Sequence, residues 1–189
     1  SFEISPWRDD SAALWDWLQW CREMDHELVG FNNIGFDYPV IHQFVRMQGR
    51  VGASQLYAKA MEIIKSQDAE EKFAHMVYPK DRFVRQLDLF KIHHFDNRSK
   101  STSLKALEFN MKMDNVADLP FPVGTMLNPD QIKILRQYNA HDVTATKRFY
   151  EASKEMIRFR EDLTRQYGQD FTNHNDTKIG AEIFQIALE

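Results

Sequence analysis

The sequence has a single cysteine, Cys21, in 189 residues. A disulfide framework requires paired cysteines and a structural thiolate zinc site requires several, so the sequence excludes both. Absence of disulfides is typical of proteins in a reducing compartment, and we therefore expect a cytoplasmic location.

Long hydrophobic runs are missing as well, which excludes a transmembrane segment and argues against a membrane as partner. The first ten residues have neither a basic start nor an apolar stretch, so they do not form a signal peptide. The chain starts at Ser1 without a methionine and ends in the apolar, helix-like segment IFQIALE. We therefore expect a segment cut from a longer protein.

The excess of one charge sign is small, because the formal net charge is −4. This charge does not suggest a protein that coats nucleic acid by bulk electrostatics, but it is compatible with carboxylates that hold cations. Local basic clusters such as Arg46 with Arg50 are interpreted as ordinary solvated faces. The apolar fraction of 43% and the 14 phenylalanines indicate a packed globule of one domain.

Hydrophobic periodicity predicts strands that alternate with helices, which indicates an α/β fold. Strands are predicted at residues 2–4, 28–31 and 84–92. Helices are predicted from Asp9, from Tyr38, over residues 53–66, after Ser101 or Ser103, from Asn128 towards residue 165, and after Asn175, with a loop or frayed helix over residues 67–82. The strongest helix start is Asn128-Pro129-Asp130-Gln131, because it combines a cap, a first-turn proline and a capping-box glutamine.

The segment VGFNNIGFDYPVI, residues 29–41, contains the first candidate site. A strand runs into a turn, and Asp37 then stands where a helix opens, so its carboxylate can face outward. The alternative interpretation is that Asp37 is only a helix N-cap.

The segment QYNAHDVTAT, residues 137–146, contains the second candidate site. Tyr138 and Asp142 are four residues apart on a predicted helix, so both side chains lie on one face. A phenol next to a carboxylate can orient a water molecule while the carboxylate holds a metal ion. The alternative interpretation is a core tyrosine with an exposed aspartate.

Together these two segments resemble the second and third motifs of the DEDD 3′–5′ exonucleases of the tyrosine subtype. The resemblance rests on Asn-x3-Phe-Asp, with Asn32, Phe36 and Asp37, followed by Tyr138-x3-Asp142. The proofreading domains of family B and phage DNA polymerases are the most similar members. Residues 86–90 resemble the family's central strand and residues 103–120 the segment before its third motif, so the resemblance covers roughly residues 28–150.

The resemblance implies an RNase H-like fold, with a mixed central sheet flanked by helices, and we expect its first strands to be missing from this chain. It implies an exonuclease domain over residues 1–150, incomplete at its N-terminus, in which residues 1–5 form the third strand. Residues 151–189 would then form a helical extension that leads to a further domain, which is expected to be a covalently linked polymerase. The cytoplasm in question would be that of a bacterium or a phage-infected cell.

The resemblance also implies two Mg²⁺ or Mn²⁺ ions, about 4 Å apart, that hold the scissile phosphate at the 3′ end of single-stranded DNA. Asp37 and Asp142 would be metal ligands, and Tyr138 would position the attacking water. Asn32 and Phe36 would shape the pocket for the terminal nucleotide, where aromatic stacking tolerates any base.

The family's first motif, Asp-x-Glu, is not found in this sequence. Ser1-Phe2-Glu3 has a glutamate at the right offset, but serine stands where the aspartate belongs. Asp37 and Asp142 alone cannot neutralise two divalent ions, so we expect this chain by itself to be inactive or nearly so. The alternatives are an RNA exonuclease that resembles ribonuclease D and a non-catalytic nucleic-acid-binding domain.

Histidines can also bind metal ions, and three of them lie near these motifs. The histidine subtype of the family would require histidine at position 137, which is Gln137. His141 is interpreted as a neighbour of Asp142 without a metal role. His93 and His94 are adjacent on a predicted strand and would point to opposite faces, so they would not share an ion.

Overall fold

A computed structural model describes residues 1–66, 74–97, 99–114, 116 and 118–188. Its helices are α1 Ser11–Glu23, α2 Asp37–Arg46, α3 Ala53–Ser66, α4 Leu89–Ile92, α5 Leu104–Asn110, α6 Pro129–Ala152, α7 Lys154–Tyr167 and α8 Asp176–Leu188, with a 3₁₀ turn at Pro79–Asp81. The strands are β1 Glu27–Gly30 and β2 Arg85–Asp88, which pair in parallel. The α/β class predicted from the sequence is therefore confirmed. The RNase H-like arrangement remains a prediction.

The chain divides into two compact units, Ser1–Asp88 and Leu89–Glu189. The first unit contains both strands and α1 to α3. Its core is a cluster of buried side chains from α1, α2, the connection between α2 and α3, and the residue before β2: Leu18, Cys21, Phe44, Val51 and Val84. The parallel register joins Glu27 to Arg85 and ends with Gly30 opposite Asp88. Both strands therefore end at the same sheet edge, where ligand-binding turns of α/β proteins commonly lie.

The first predicted strand is wrong, and residues 1–5 are not the third strand of a sheet. Ile4 forms only an isolated antiparallel bridge with Asp9. The Ser5 hydroxyl accepts hydrogen bonds from the backbone N–H groups of Trp7 and Arg8, both at 3.1 Å. These local side-chain bonds hold a turn that competes with an extended ladder.

The strand predicted over residues 84–92 ends early. β2 stops at Asp88, and the chain continues as the helical turn α4. The run is apolar on either side of this point, so periodicity could not distinguish a buried strand from a buried helical turn. The predicted loop over residues 67–82 is only partly described, because residues 67–73 lie outside the described part of the chain.

Helix starts and stops agree closely with the sequence prediction. Asn128 caps α6 with a complete capping box, and the Ser103 hydroxyl caps α5 by accepting from the Ala106 N–H. Gly168 ends α7 in the left-handed conformation at φ 67°, which a glycine adopts without strain. The helical region predicted from Asn128 towards residue 165 is interrupted at Ser153, which separates α6 from α7.

Single residues mark the buried faces of α3 and α8. On α3, Ile63 is buried, whereas Tyr57 and Ile64 are exposed. On α8, Ile179 is buried and Phe184 is exposed. On α1, Trp15 stacks on Phe83 with ring centroids 5.6 Å apart.

The second unit is organised around a buried arginine, Arg160 on α7. Its side chain is 1% exposed and donates to the backbone carbonyls of Ile92, Met156 and His174 and to the carboxylate of Asp176. A buried guanidinium is tolerated only when its donors are satisfied, as they are here. This one side chain therefore joins α4, α7 and α8.

Among the helices in the described part of the chain, none combines the length and the apolar character that crossing a membrane would require.

Candidate metal centre

The turn that leads from β1 to α2 contains three of the predicted site residues. Asn32 adopts a left-handed conformation at φ 59°, which asparagine tolerates better than most residues. A Cβ at Gly30 would lie 2.6 Å from the Asn33 Cβ, and a Cβ at Gly35 would lie 2.5 Å from the Asn32 Oδ1. Both glycines are therefore required for the close packing of this turn.

Asp88, at the end of β2, holds this turn in place. Its carboxylate is fully buried and accepts hydrogen bonds from the Asn32 N–H at 2.8 Å and the Ile34 N–H at 3.1 Å. Next to it, the Asn33 amide donates to the Gln86 side chain at 2.9 Å. The sequence prediction assigned no role to Asp88, although an acid in the apolar run QLDLF was the available signal.

Asp37 is the first residue of α2, and Phe36 occupies the N-cap position, so Asp37 is not the N-cap. The Asp37 residue is exposed at the surface, but the protein around its carboxyl removes much of the hydration that the charged form needs. This desolvation is the main reason why the pKa of Asp37 rises to about 6, and the negative charge of Asp88 acts in the same direction. The first unit thus places two carboxylates close enough to disfavour each other's charge.

Tyr138 and Asp142 lie on one face of α6, as the sequence predicts, and a hydrogen bond joins their side chains. Desolvation and the charge of Asp142 raise the pKa of Tyr138, so the phenol is neutral and acts as the donor. Desolvation also raises the pKa of Asp142, while His141 and the bond from Tyr138 oppose that rise.

Glu108, His141 and Asp142 form a group that could hold a metal ion. One ligand atom from each residue lies within 4.8 Å of the others. Glu108 comes from α5 and is 2% exposed, whereas the other two come from α6 and are half-buried. Asp142, predicted as a metal ligand, therefore belongs to a group that could hold an ion, together with two residues to which the sequence prediction assigned no metal role.

The hydrogen bonds of His141 determine which of its ring nitrogens is free. Its Nε2 lies 3.1 Å from the backbone carbonyl of Asp114, which is only an acceptor, so Nε2 must carry the proton. In the neutral ring, Nδ1 then presents a lone pair to the Glu108 Oε1 at 3.6 Å. A proton or another cation between these two acceptors would allow both to bind it.

The environment of Glu108 raises the pKa of its carboxyl above the ordinary value. Desolvation is the main cause that raises its pKa, and the charge of Asp142 adds to the rise. His141 and Lys105 act in the opposite direction. A bound cation would reverse this balance, because it would favour both carboxylates in their charged forms.

The predicted site residues belong to both units. Asn32, Phe36 and Asp37 lie in the first unit on the turn held by Asp88, and Tyr138 and Asp142 lie in the second unit next to Glu108 and His141. Sequence reasoning missed Glu108 because a lone glutamate on a short amphipathic helix has no distinguishing spacing. His141 was noticed, but the family pattern assigned it no metal role.

The expectation that His93 and His94 lie on a strand is wrong, because they follow directly after α4. The Ser153 hydroxyl donates to the Phe149 carbonyl at 2.8 Å, so it accepts from the His93 Nε2, also at 2.8 Å. The His93 ring also stacks on Phe95. These contacts give His93 a structural role at the α6–α7 break.

In comparisons with protein-family models, curated proteins and solved structures, no significant match to this chain was found.

Proposed function

We propose that this chain is a 3′–5′ exonuclease domain that acts on the 3′ end of single-stranded DNA and depends on a divalent cation. The proposal joins the motif resemblance over residues 28–150 to the ligand group of the second unit. It includes an RNase H-like fold and a proofreading role next to a linked DNA polymerase, as the resemblance implies.

The single observation that carries the proposal is the arrangement around His141. Its Nε2–H is directed to a backbone carbonyl, and its Nδ1 faces the buried carboxylate of Glu108. Metal-binding histidines usually donate their second N–H to a carbonyl or carboxylate in this way, which fixes the tautomer for coordination. The Asp142 carboxylate completes the group.

In this proposal, Glu108, His141 and Asp142 would hold the cation, and the resemblance alone assigns a metal-ligand role to Asp37. A cation held by the three residues would polarise a phosphoryl oxygen and make a bound water more acidic. Tyr138, a neutral phenol bonded to Asp142, would position the attacking water. Asn32 and Phe36 receive the terminal nucleotide.

The donor atoms favour Mn²⁺ over Mg²⁺. Mg²⁺ prefers oxygen ligands and near-ideal octahedral geometry, whereas an imidazole nitrogen suits the transition metals. Because His141 would supply such a nitrogen, Mn²⁺ is the better first probe in every experiment on this site.

The experiment uses single-stranded DNA that carries a fluorophore at its 5′ end and a free 3′ hydroxyl. Fluorescence anisotropy gives the affinity in Mn²⁺ and in EDTA, and gel electrophoresis detects shortening from the 3′ end. We expect Mn²⁺ to tighten binding, slow shortening at most, and loss of both effects in Asp142→Asn. Asp130→Asn is the matched control, because Asp130 is an exposed carboxylate near the start of the same helix.

Two outcomes favour the alternatives. Equal affinity in EDTA and Mn²⁺, unchanged in Asp142→Asn and in Asp37→Ala, would contradict the proposal and indicate a non-catalytic nucleic-acid-binding domain. An RNA oligonucleotide of the same sequence that is bound more tightly and shortened faster than DNA would indicate an enzyme that resembles ribonuclease D.

A further inference from the structure

One face of α2 forms the wall of a cleft in the first unit, and Asp37 at the start of this helix is not among the residues that line it. Pro39, His42, Gln43 and Arg46 follow helical i, i+3, i+4, i+7 spacing, so they share this face. The cleft has a volume of about 520 Å³. Its other walls come from α3 and from the segment around the 3₁₀ turn: Lys59, Ala74, His75, Met76, Val77, Tyr78 and Asp81.

Among the lining residues that the structure describes, cationic side chains outnumber carboxylates. Arg46 and Lys59 provide two permanent positive charges, and Asp81 is the one carboxylate in this described part of the lining. Arg46 is exposed, and within the described residues its guanidinium has no hydrogen bond or ion pair. Such a guanidinium presents a planar set of donors that matches phosphate oxygens.

Lys59 fixes the orientation of a further donor, His75. The Lys59 ammonium lies 2.9 Å from the His75 Nδ1, and an ammonium group can only donate. The His75 Nδ1 therefore accepts, and its Nε2 carries the proton even when the ring is neutral. Because the ammonium also contacts Glu62 at 3.4 Å, one of its three hydrogens is left for a ligand.

His42 adds a buried polar atom to the same wall. Its Nδ1 is buried and has no hydrogen-bond partner among the described residues. Burial and the charge of Arg46 lower the pKa of His42, while Asp81 opposes this. The ring is thus held towards its neutral form until an anion enters the cleft.

We propose that this cleft binds a nucleoside monophosphate, with the phosphate on Arg46, Lys59 and His75 and the base on the Tyr78 ring. The volume lies in the range of small-molecule sites and is far larger than a phosphate ion requires. Tyr78 is 58% exposed, so its ring is available for stacking, which tolerates any base. The proposal goes beyond the exonuclease function and needs neither Asp142 nor a metal ion.

Isothermal titration calorimetry with deoxyadenosine 5′-monophosphate in EDTA tests this proposal. We expect saturable binding, weakened about tenfold or more in Arg46→Gln by the loss of a charge-assisted hydrogen bond. Arg50→Gln is the matched control, because Arg50 is exposed, lies close in sequence and does not line the cleft. Asp142→Asn should bind as the wild type does, which separates this test from that of the exonuclease site.

Inorganic phosphate and deoxyadenosine are the comparison ligands, and each should bind more weakly than the nucleotide. If phosphate bound as tightly as the nucleotide, the proposed contact between the base and Tyr78 would be wrong. If deoxyadenosine bound as tightly, the proposed contact of the phosphate with Arg46, Lys59 and His75 would be wrong. As a measurement that needs no variant, the imidazole ¹⁵N resonances of His42 and His75 should shift in the wild type as the nucleotide is added. Unshifted resonances, or an Arg46→Gln variant that binds normally, would overturn the proposal.

Discussion

Asp37 shows how a single carboxylate makes stability depend on pH. Its pKa rises from the ordinary 3.8 to about 6, mainly through desolvation and secondarily through the charge of Asp88. The folded state therefore binds this proton more tightly than the unfolded chain does. The resulting stabilisation is fully present below pH 3.8 and is lost as the pH rises through about 6.

We therefore expect Asp37→Asn to unfold at a higher temperature than the wild type at pH 7 in metal-free buffer. The difference should shrink as the pH falls from about 6 towards 3.8, because the wild-type carboxyl becomes neutral too. Thermal unfolding across this range measures the effect, and ¹³C NMR of the Asp37 carboxyl gives the midpoint directly. A midpoint near 3.8 would contradict this prediction.

The residues of the candidate site differ in how well the sequence could predict them. Tyr138 and Asp142 share a helix, so their spacing alone predicts that they lie together. Glu108 and His141 come from different helices, and Asp88 acts from the second strand on the turn after the first. Contacts of this kind depend on tertiary packing, which a single sequence does not encode in any local pattern.

At the scale of elements, the sequence predicted helix ends well and strand limits poorly. The capping box at Asn128 and the glycine at position 168 satisfy backbone groups through chemistry that is local in sequence. The limits of β2 and the failure of residues 1–5 to form a strand depend on pairing partners and on competing side-chain bonds. The two paired strands lie far apart in sequence, and the competing bonds are made by a serine hydroxyl. Hydrophobic periodicity detects neither of these.

Arg160 provides a test of how the helices of the second unit are joined. Its guanidinium bonds three backbone carbonyls and the Asp176 carboxylate from a site that is 1% exposed. Arg160→Met would leave the buried carbonyls without their donor, and we expect the free energy of unfolding to fall by at least about 1–3 kcal/mol. Urea unfolding followed by circular dichroism measures the change.

The matched control for this prediction is Arg158→Met on the same helix. Arg158 is exposed, so its substitution should change the free energy of unfolding by no more than about 0.5 kcal/mol. Similar losses in both variants would mean that the buried hydrogen bonds of Arg160 are not what joins α4, α7 and α8.

At the scale of the whole molecule, the motifs are shared between two compact units. The first unit carries the Asn32–Asp37 turn and the basic cleft, and the second carries the Glu108–His141–Asp142 group. The α/β class followed from the alternation of patterns along the chain. The division into two units at residue 88 could not be predicted in this way, because it falls inside an apolar run that is typical of one continuous strand.

The central claim is that Glu108, His141 and Asp142 bind a divalent cation, and a direct Mn²⁺ titration tests it. Electron paramagnetic resonance of free Mn²⁺ should show saturable binding to the wild type that is weakened about tenfold or more in Asp142→Asn and in Glu108→Gln. Asp130→Asn should bind as the wild type does. Absence of Mn²⁺ binding by the folded wild type, or full binding by both site variants, would contradict the claim.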